Sequence, residues 1–240
     1  MFSSESIQVD YATKIKTPAQ QGKAAGTARV IGRRARPIGG PTKRAIDIVL
    51  VLTALPLLGL LMLGLAVLIK RADNGPLLYG HRRVGFKGRE FKCWKFRTMV
   101  VDGDAVLERH FEKNPGDRII WNVQRKLTND PRITPIGAVL RKLSLDELPQ
   151  LLNVLNGEMS LVGPRPVVED ELAYYGTTAR YYLSARPGLT GLWQVSGRSN
   201  TTYAERVRLD RRYVSRWAHW RDLQILIKTV PALISSRGAH

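Results

Sequence analysis

The residues best suited to chemistry are two adjacent carboxylates, Asp146 and Glu147, in the segment from Arg141 to Gln150. Adjacent carboxylates repel each other, so a divalent cation or an arginine such as Arg141 is expected to compensate their charge. Ser144 and Glu147 also have the S-x-x-E spacing of a helix capping box. From these residues alone, helix capping and catalysis are both open.

A helix is expected to follow the two carboxylates. If Pro149 lies in its first turn, where the missing N–H would be unpaired anyway, the helix can run to Gly157, a natural terminator. Asp146 and Glu147 then lie at the positive, N-terminal end of this helix, which stabilises negative charge.

Arg165 lies between two prolines in the sequence Gly163-Pro164-Arg165-Pro166. The prolines stiffen the backbone, and a guanidinium on a stiff loop suits the two-point capture of a phosphate. A proline-rich turn with no binding role is equally compatible with this pattern. Two further segments, 92–99 and 186–198, combine basic, aromatic and glycine residues, but each also fits a plain connection.

Composition describes a folded, strongly basic protein. The 240 residues include 38 Lys+Arg and 20 Asp+Glu, a formal charge of +18, and 44% are hydrophobic, which excludes wholesale disorder. The single cysteine, Cys93, excludes an internal disulfide. The charge predicts an anionic partner, but nucleic acid, phospholipid headgroups and phosphorylated small molecules all satisfy it.

An uncharged apolar run of 22 residues extends from Ile48 to Ile69. As a straight helix it would span about 33 Å, close to the ~30 Å hydrocarbon core of a bilayer. Pro56 inside the run removes a helical hydrogen bond and predicts a kink. Basic residues flank the run on both sides, and basic flanks prefer the cytoplasmic face. We therefore predict a re-entrant helix hairpin, broken at Pro56, that enters and leaves the membrane on the same face.

The sequence divides into three regions. Residues 1–42 are predicted to form a flexible basic tail, residues 43–71 the re-entrant membrane hairpin, and residues 72–240 a cytoplasmic globular domain. The predicted fold class is α with minor β, with short strands at 76–79 and 91–96. The stretch Trp220–Ile234 is predicted to form an amphipathic interfacial helix, interrupted near Pro231.

Taken together, these motifs resemble one family. The chain is similar to the monotopic phosphoglycosyl transferases, the bacterial sugar transferase family, over about residues 42–234. Its Asp-Glu-Leu-Pro-Gln and Pro-Arg-Pro motifs are specific to that family. One departure is that Leu55 precedes Pro56, where the family often has serine. The motifs are Lys43-Arg44-x-x-Asp47, Lys95-Phe96-Arg97-Thr98-Met99, Arg141-x-x-x-x-Asp146-Glu147-Leu148-Pro149-Gln150-Leu151, Met159-Ser160-Leu161-Val162-Gly163-Pro164-Arg165-Pro166 and Arg186-Pro187-Gly188-Leu189-Thr190-Gly191.

The resemblance implies an enzyme that moves a sugar-1-phosphate from a UDP-sugar to undecaprenyl (polyprenyl) phosphate and releases UMP. It implies that Asp146 is the nucleophile, forming a covalent aspartyl-phosphosugar intermediate. By the same resemblance Glu147 binds Mg²⁺, and Arg141 and Arg165 clamp phosphate oxygens. Two further residues, Lys95 and Arg97, are candidate contacts to substrate phosphate.

The resemblance also implies a location on the cytoplasmic face of the bacterial inner membrane and a role in exopolysaccharide assembly. Basic residues near the membrane attract anionic lipid. The sugar is expected to be galactose or glucose, by analogy with short family members, and the oligomeric state is open. A non-catalytic membrane adaptor and a nucleic-acid-binding protein are the alternatives. No nucleic acid is expected, because a recognised binding module is lacking and the apolar run would be unexplained.

Overall fold

The computed structural model describes residues 36–72, 74–124, 127–197 and 201–234. Most of the predicted tail, residues 1–35, lies outside these ranges. The described chain is mostly helical with short strands, which confirms the predicted fold class. The helices are α1 (Gly40–Ala72), α2 (Gly103–Lys113), α3 (Pro115–Gln124), α4 (Pro135–Lys142), α5 (Gln150–Asn156), α6 (Glu169–Ala173), α7 (Ala179–Tyr182), α8 (Leu192–Ser196), α9 (Tyr203–Ser215) and α10 (His219–Ile234), and the strands are β1 (Leu78–Val84), β2 (Glu90–Phe96), β3 (Ser160–Val162) and β4 (Gly188–Thr190).

Strands β1 and β2 form an antiparallel hairpin that carries Lys95. Because side chains alternate along a strand, Cys93 and Lys95 lie on one face of the hairpin. The buried amide of Asn153 holds α5 against this hairpin: its Oδ1 accepts from the backbone N–H of Trp94 at 3.0 Å, and its Nδ2 donates to the carbonyl of Lys92 at 2.7 Å. Strand β2 therefore lies directly beside the segment that follows the two carboxylates.

Strands β3 and β4 form a short parallel pair, which the sequence analysis does not anticipate. Ser160 lies opposite Gly188 and Val162 opposite Thr190. Beyond β3, the N–H of Gly163 donates to the carbonyl of Thr190 at 2.9 Å, and the N–H of Gly188 donates to the carbonyl of Pro164 at 2.8 Å. The segment before α8 therefore supports the loop that presents Arg165.

Helix α1 is long and apolar enough to cross a membrane, and it is the one helix of that kind in the described chain. It extends beyond both ends of the apolar run, with Pro56 inside it. The hydroxyl of Thr53 donates to the carbonyl of Val49 at 2.8 Å, so it does not replace the serine often found before the family's proline. Leucines in the middle of the helix are open to solvent, with Leu57 75% exposed. Such a surface suits lipid rather than water.

Both ends of α1 pack against the same folded unit. Near the N-terminal end, Val51 is buried in a cluster with Leu151 of α5 and its neighbours. Near the C-terminal end, Leu65 and Ile69 are buried in a cluster with Phe96 and other residues. A straight crossing would carry one end away from the unit that holds both. This packing supports the re-entrant topology, which stays a prediction.

The motif Lys43-Arg44-x-x-Asp47 attaches the start of α1 to the rest of the fold. The guanidinium of Arg44 donates to the carbonyls of Val154 and Leu155, at the end of α5. The buried carboxylate of Asp47 accepts from the hydroxyl of Ser160 at 2.8 Å and from the backbone N–H of Leu161 at 3.2 Å. Two of the three motif residues thus satisfy polar groups at the end of α5 and in β3.

The third motif residue links the first helix to the last. The ammonium of Lys43 lies 2.6 Å from the carboxylate of Asp222 on α10. Asp222 also accepts from the hydroxyl of Tyr213 at 2.8 Å and from the indole N–H of Trp217 at 3.1 Å. Just upstream, Ile38 is buried and donates its N–H to Ser184. The described part of the predicted tail, residues 36–42, therefore belongs to the folded unit.

Replacing Asp47 with Ala is expected to lower the free energy of unfolding by about 2 kcal/mol. The change leaves the Ser160 hydroxyl and the Leu161 N–H buried without their acceptor, which costs about 1–3 kcal/mol. The measurement is urea unfolding of detergent-purified protein. Asp102→Ala is the matched control, because this exposed carboxylate makes no side-chain bond to the helix that it precedes. Equal stability of the two variants would contradict the anchoring role of Asp47.

Helix α10 carries an exposed apolar face, as expected for an interfacial helix. Ile225 is buried against the core, whereas Trp220 and three aliphatic residues along the same face are more than half exposed. The helix continues past Pro231, so the predicted interruption is wrong. The exposed apolar residues are Trp220, Leu223, Ile227 and Val230.

Candidate active site

Asp146 and Glu147 lie in a short 3-10 turn, Leu145–Glu147, between α4 and α5. Ser144, which precedes the turn, has a φ of 56° and no side-chain capping bond, so the capping-box interpretation is wrong. Helix α5 begins only at Gln150 and ends at Asn156, with Gly157 as its predicted terminator. The carboxylates therefore precede the helix instead of forming its first turn.

Lys95 bridges the two carboxylates. Its Nζ lies 2.6 Å from Oε1 of Glu147 and 3.4 Å from Oδ2 of Asp146. Burial alone would lower the pKa of Lys95, but the charges of Glu147 and Asp146 outweigh it and raise the pKa. The lysine thus stays positively charged and offsets the repulsion between the two carboxylates. The sequence had suggested a divalent cation or Arg141 for this role.

Asp146 is the more buried member of the pair, with only 8% of its surface exposed. Burial raises its pKa above the ordinary value for aspartate, and the neighbouring charge of Glu147 adds to the rise. Lys95 and Arg141 oppose this shift because they favour the carboxylate. The site therefore holds one poorly solvated carboxylate close to two positively charged side chains, Lys95 and Arg141. A shifted pKa of this kind is common at functional sites.

The two remaining basic residues near β2 differ in their contacts. Arg141, on α4, donates from Nε to the hydroxyl of Thr98 at 2.8 Å and is close enough to lower the pKa of Asp146. Arg97 donates to the backbone carbonyls of Pro76 at 2.6 Å and Met99 at 3.2 Å. Arg97 thus joins the segment before β1 to the segment after β2. Its contact to substrate phosphate stays a prediction.

Arg165 lies on the loop after β3, and its side chain is exposed. Its guanidinium carbon is 5.3 Å from the ring centre of Trp193. Burial raises the pKa of the Cys93 thiol to about 11, while Lys95, Glu147 and Arg165 all lie near enough to influence it. The structure therefore brings Arg165 to the same region as Lys95 and Glu147, although they are far apart in sequence.

A set of residues around Arg165 was missed by the sequence analysis. Asp210, on α9, is buried, and its Oδ2 accepts from the hydroxyl of Tyr175 at 2.7 Å. Arg206, one turn earlier on α9, has its guanidinium carbon 4.8 Å from the ring centre of Trp193. The only sign of these residues in the sequence was the spacing of charged residues along α9, at every third or fourth position. Such spacing is also typical of a helix face that is exposed to solvent.

The unfolding free energy is expected to depend on pH through Asp210. Burial raises the pKa of Asp210 to about 7, and the hydroxyl of Tyr175 and the charge of Arg165 oppose this only in part. Between the unfolded pKa near 4 and pH 7 the folded state binds a proton that the unfolded state lacks, so stability falls as pH rises. The slope is at most about 1.4 kcal/mol per pH unit.

The measurement compares wild type with Asp210→Asn by urea unfolding at several pH values between 4 and 8. The amide can still accept from Tyr175, so the variant is expected to lose this part of the pH dependence and to be more stable than wild type at pH 8. Asp102→Asn serves as the control. If the unfolding free energies of wild type and Asp210→Asn changed with pH in the same way, the raised pKa of Asp210 would be contradicted.

The described residues contain no cluster of three or more Asp, Glu, His or Cys side chains arranged around a metal position. Asp146 and Glu147 nevertheless suit Mg²⁺, which is commonly held by one or two carboxylates together with substrate phosphates and water. Of the two, Glu147 is the more accessible, with a 38% exposed side chain. The donor set fits a cation that arrives with a phosphorylated substrate.

Comparison with known proteins identifies the family of this chain. Residues 39–236 match the sequence pattern described as bacterial sugar transferase. The chain belongs to the bacterial sugar transferase family. The match covers α1 and every residue of the candidate site, which confirms the resemblance drawn from the motifs.

Individual members of the sugar transferase family are similar over most of this chain. The exopolysaccharide production protein ExoY of Rhizobium meliloti is 56% identical over 205 residues, which cover 85% of this chain and 91% of that protein. The undecaprenyl-phosphate galactose phosphotransferase of Salmonella typhimurium is 50% identical over 198 residues, 82% of this chain but 41% of that protein. The UDP-glucose:undecaprenyl-phosphate glucose-1-phosphate transferase of Caulobacter vibrioides is 39% identical over 206 residues, 82% of this chain and 72% of that protein.

Proposed function

We propose that this sugar transferase moves a sugar-1-phosphate from a UDP-sugar to undecaprenyl phosphate and releases UMP, as the first membrane step of exopolysaccharide assembly. The observation that carries the proposal is the buried Asp146, which Lys95 links to Glu147. Arg141 lies close enough to influence the pKa of Asp146. The names of the relatives support the acceptor and the product class, because they describe undecaprenyl-phosphate transferases and exopolysaccharide production.

In the first half-reaction, a carboxylate oxygen of Asp146 attacks the sugar-bearing phosphorus of the UDP-sugar. A bond forms between this oxygen and phosphorus, and the bond to the bridging oxygen breaks, so that UMP leaves with the electron pair. The carboxylate needs no deprotonation, and its poor solvation lowers the cost of removing water before attack. The product is an aspartyl-phosphosugar.

In the second half-reaction, a phosphate oxygen of the polyprenyl phosphate attacks the same phosphorus. The bond to Asp146 breaks, which restores the carboxylate and leaves the sugar joined to the lipid through a diphosphate. Lys95, Arg141 and Arg165 supply fixed positive charge for the oxygens on which negative charge develops. Dividing one difficult transfer into two steps also lets donor and acceptor use the same small site in turn.

Glu147 is the residue proposed to hold Mg²⁺, together with diphosphate oxygens of the donor. When bound, the ion would neutralise part of the diphosphate charge and make UMP a better leaving group. Lys95 lies 2.6 Å from Glu147 and would keep that carboxylate oriented while the donor enters.

The membrane arrangement follows from α1. Its exposed apolar middle lies in lipid, and both of its ends return to the folded unit on one side. Basic residues before and after the helix favour the cytoplasmic face and attract anionic headgroups, at about 1 kcal/mol per Lys or Arg near the surface. We infer a position on the cytoplasmic face of the bacterial inner membrane, where the acceptor phosphate is within reach of Asp146.

Cysteines placed at the two ends of α1 are expected to react from the same side of the membrane. The variants Thr42→Cys and Arg71→Cys use exposed positions, and the native Cys93 is buried. In right-side-out vesicles neither cysteine should react with a membrane-impermeant maleimide, whereas in inverted vesicles both should. Labelling of one end in each preparation would contradict the re-entrant topology.

The function is tested with purified protein in nanodiscs, Mg²⁺, undecaprenyl phosphate and a panel of UDP-sugars that includes UDP-galactose and UDP-glucose. We expect one donor to yield UMP and a lipid-linked phosphosugar, and EDTA to stop the reaction. Release of UMP without a lipid product would indicate hydrolysis, and no UMP from any donor would overturn the proposal. The panel also identifies the sugar.

A further inference from the structure

Two arginines meet at one buried aromatic ring beside the active site. The guanidinium carbons of Arg165 and Arg206 lie 5.3 Å and 4.8 Å from the ring centre of Trp193, which is only 6% exposed. Arg165 comes from the loop after β3, Trp193 from α8 and Arg206 from α9. Three separate elements therefore converge to place two positive charges on one small platform.

Neither of these two charges has an ion-pair partner in the described part of the chain. No carboxylate there lies within 4.0 Å of either guanidinium, whereas Arg83, Arg132 and Arg208 all have such a partner. Arg206 makes one weak bond, from Nε to the hydroxyl of Thr201 at 3.4 Å. Cation–π contact contributes about 0.5–2 kcal/mol per arginine and does not remove the repulsion between like charges. An anion bound by both arginines would remove it.

A buried carboxylate, Asp210, lies next to the pair. Asp210 follows Arg206 by four residues on α9, so both lie on the same face of that helix. Its buried carboxylate accepts from the hydroxyl of Tyr175, and the backbone of Arg165 lies close to it. Asp210 thus links α9, which carries Arg206, to Tyr175, and it lies next to the loop that carries Arg165.

We propose that Arg165 and Arg206, both held against Trp193, form a two-arginine clamp for a phosphate group of the substrate. A guanidinium held over a ring keeps N–H groups available to phosphate oxygens, and two such groups can grip one phosphate or two adjacent ones. The clamp rests on the proposed phosphoglycosyl transfer and adds Arg206 and Trp193 to its binding residues. The phosphate belongs either to the uridine nucleotide or to the polyprenyl acceptor.

The experiment measures equilibrium binding, without turnover, of UMP and separately of farnesyl phosphate to full-length protein in detergent. Arg206→Gln is expected to weaken one of the two probes at least about 10-fold, because a charge-assisted hydrogen bond to phosphate is lost. Weakened UMP binding would place the nucleotide in the clamp, and weakened farnesyl phosphate binding would place the acceptor there. Unchanged binding of both probes would overturn the proposal.

Two further variants separate binding from folding. Arg212→Gln removes the same charge from an exposed position on the same helix and is expected to bind both probes as wild type does. Arg206→Lys is the variant to use if Arg206→Gln proves unstable. It keeps the charge but loses the planar fork, so a smaller loss of affinity, about 3- to 10-fold, is expected. Wild-type affinity of Arg206→Lys for both probes would count against the clamp. Because no sugar transfer is measured, the proposed function can fail in the activity assay while the clamp is upheld.

Discussion

Replacing Asp146 with Asn is expected to reduce UMP release by about 10³-fold or more, with the fold unchanged. The amide is close in size to the carboxyl group but cannot act as a nucleophile, and removal of a covalent nucleophile commonly costs several orders of magnitude. Burial already disfavours the charged form of Asp146 and raises its pKa. A neutral amide in this position should therefore not destabilise the protein.

Two measurements accompany the activity assay. Mass spectrometry of wild type incubated with donor alone should detect a phosphosugar on the peptide that contains Asp146, and this adduct should be absent from the variant. Asp102→Asn, which removes an exposed carboxylate outside the site, should retain full activity. Full activity of Asp146→Asn, or an adduct on another residue, would show that Asp146 is not the nucleophile.

Replacing Gly188 with Ala is expected to leave little folded protein. A Cβ at this position would lie 2.0 Å from the backbone nitrogen of Gly163 and 2.3 Å from the carbonyl oxygen of Thr190. Both atoms belong to backbone that cannot move without separating β3 from β4, so the loop that presents Arg165 would be lost with the strand pair. We expect the free energy of unfolding to fall by about 3 kcal/mol or more. Overpacking against backbone costs more than overpacking against a flexible side chain, because the backbone cannot move aside.

Gly116→Ala is the matched control for this substitution. Gly116 lies in the first turn of α3, and a Cβ there would meet no atom within 4 Å. Alanine at this position should be neutral or stabilise by up to about 1 kcal/mol. The comparison uses yield of monodisperse protein and urea unfolding. Similar results for the two variants would show that the close approach of β3 and β4 does not limit stability.

The sequence pointed to the residue types of the candidate site, but not to how these residues are arranged in space. Asp146, Glu147 and Arg165 stand out because carboxylate pairs and proline-flanked arginines are recognisable over a few residues. The backbone conformation around these residues and the partners of their side chains could not be recognised from short motifs. The capping-box spacing predicted a role for Ser144 that the backbone turn at that residue does not allow. The lysine that bridges the carboxylates comes from a strand about 50 residues earlier, and its partners depend on how the hairpin packs against α5.

The motif around Lys43 shows the same limit. Its residues are visible in the sequence, but their partners are Asp222, the end of α5, and the Ser160 region, the last more than 100 residues from Asp47. The parallel pairing of β3 with β4 was equally inaccessible, because three-residue strands have too little alternation to predict a partner.

The amino-acid sequence by itself determined the long apolar helix, the mostly helical character, the basic charge and the residue types available for phosphate chemistry. These properties depend on hydropathy, periodicity and charge, which are set locally along the chain. Only the tertiary structure decided that both ends of α1 return to one unit, that Lys95 lies between Asp146 and Glu147, and that Arg206 joins Arg165 at Trp193. Such contacts join segments far apart in sequence, and their geometry depends on how all the intervening elements pack together.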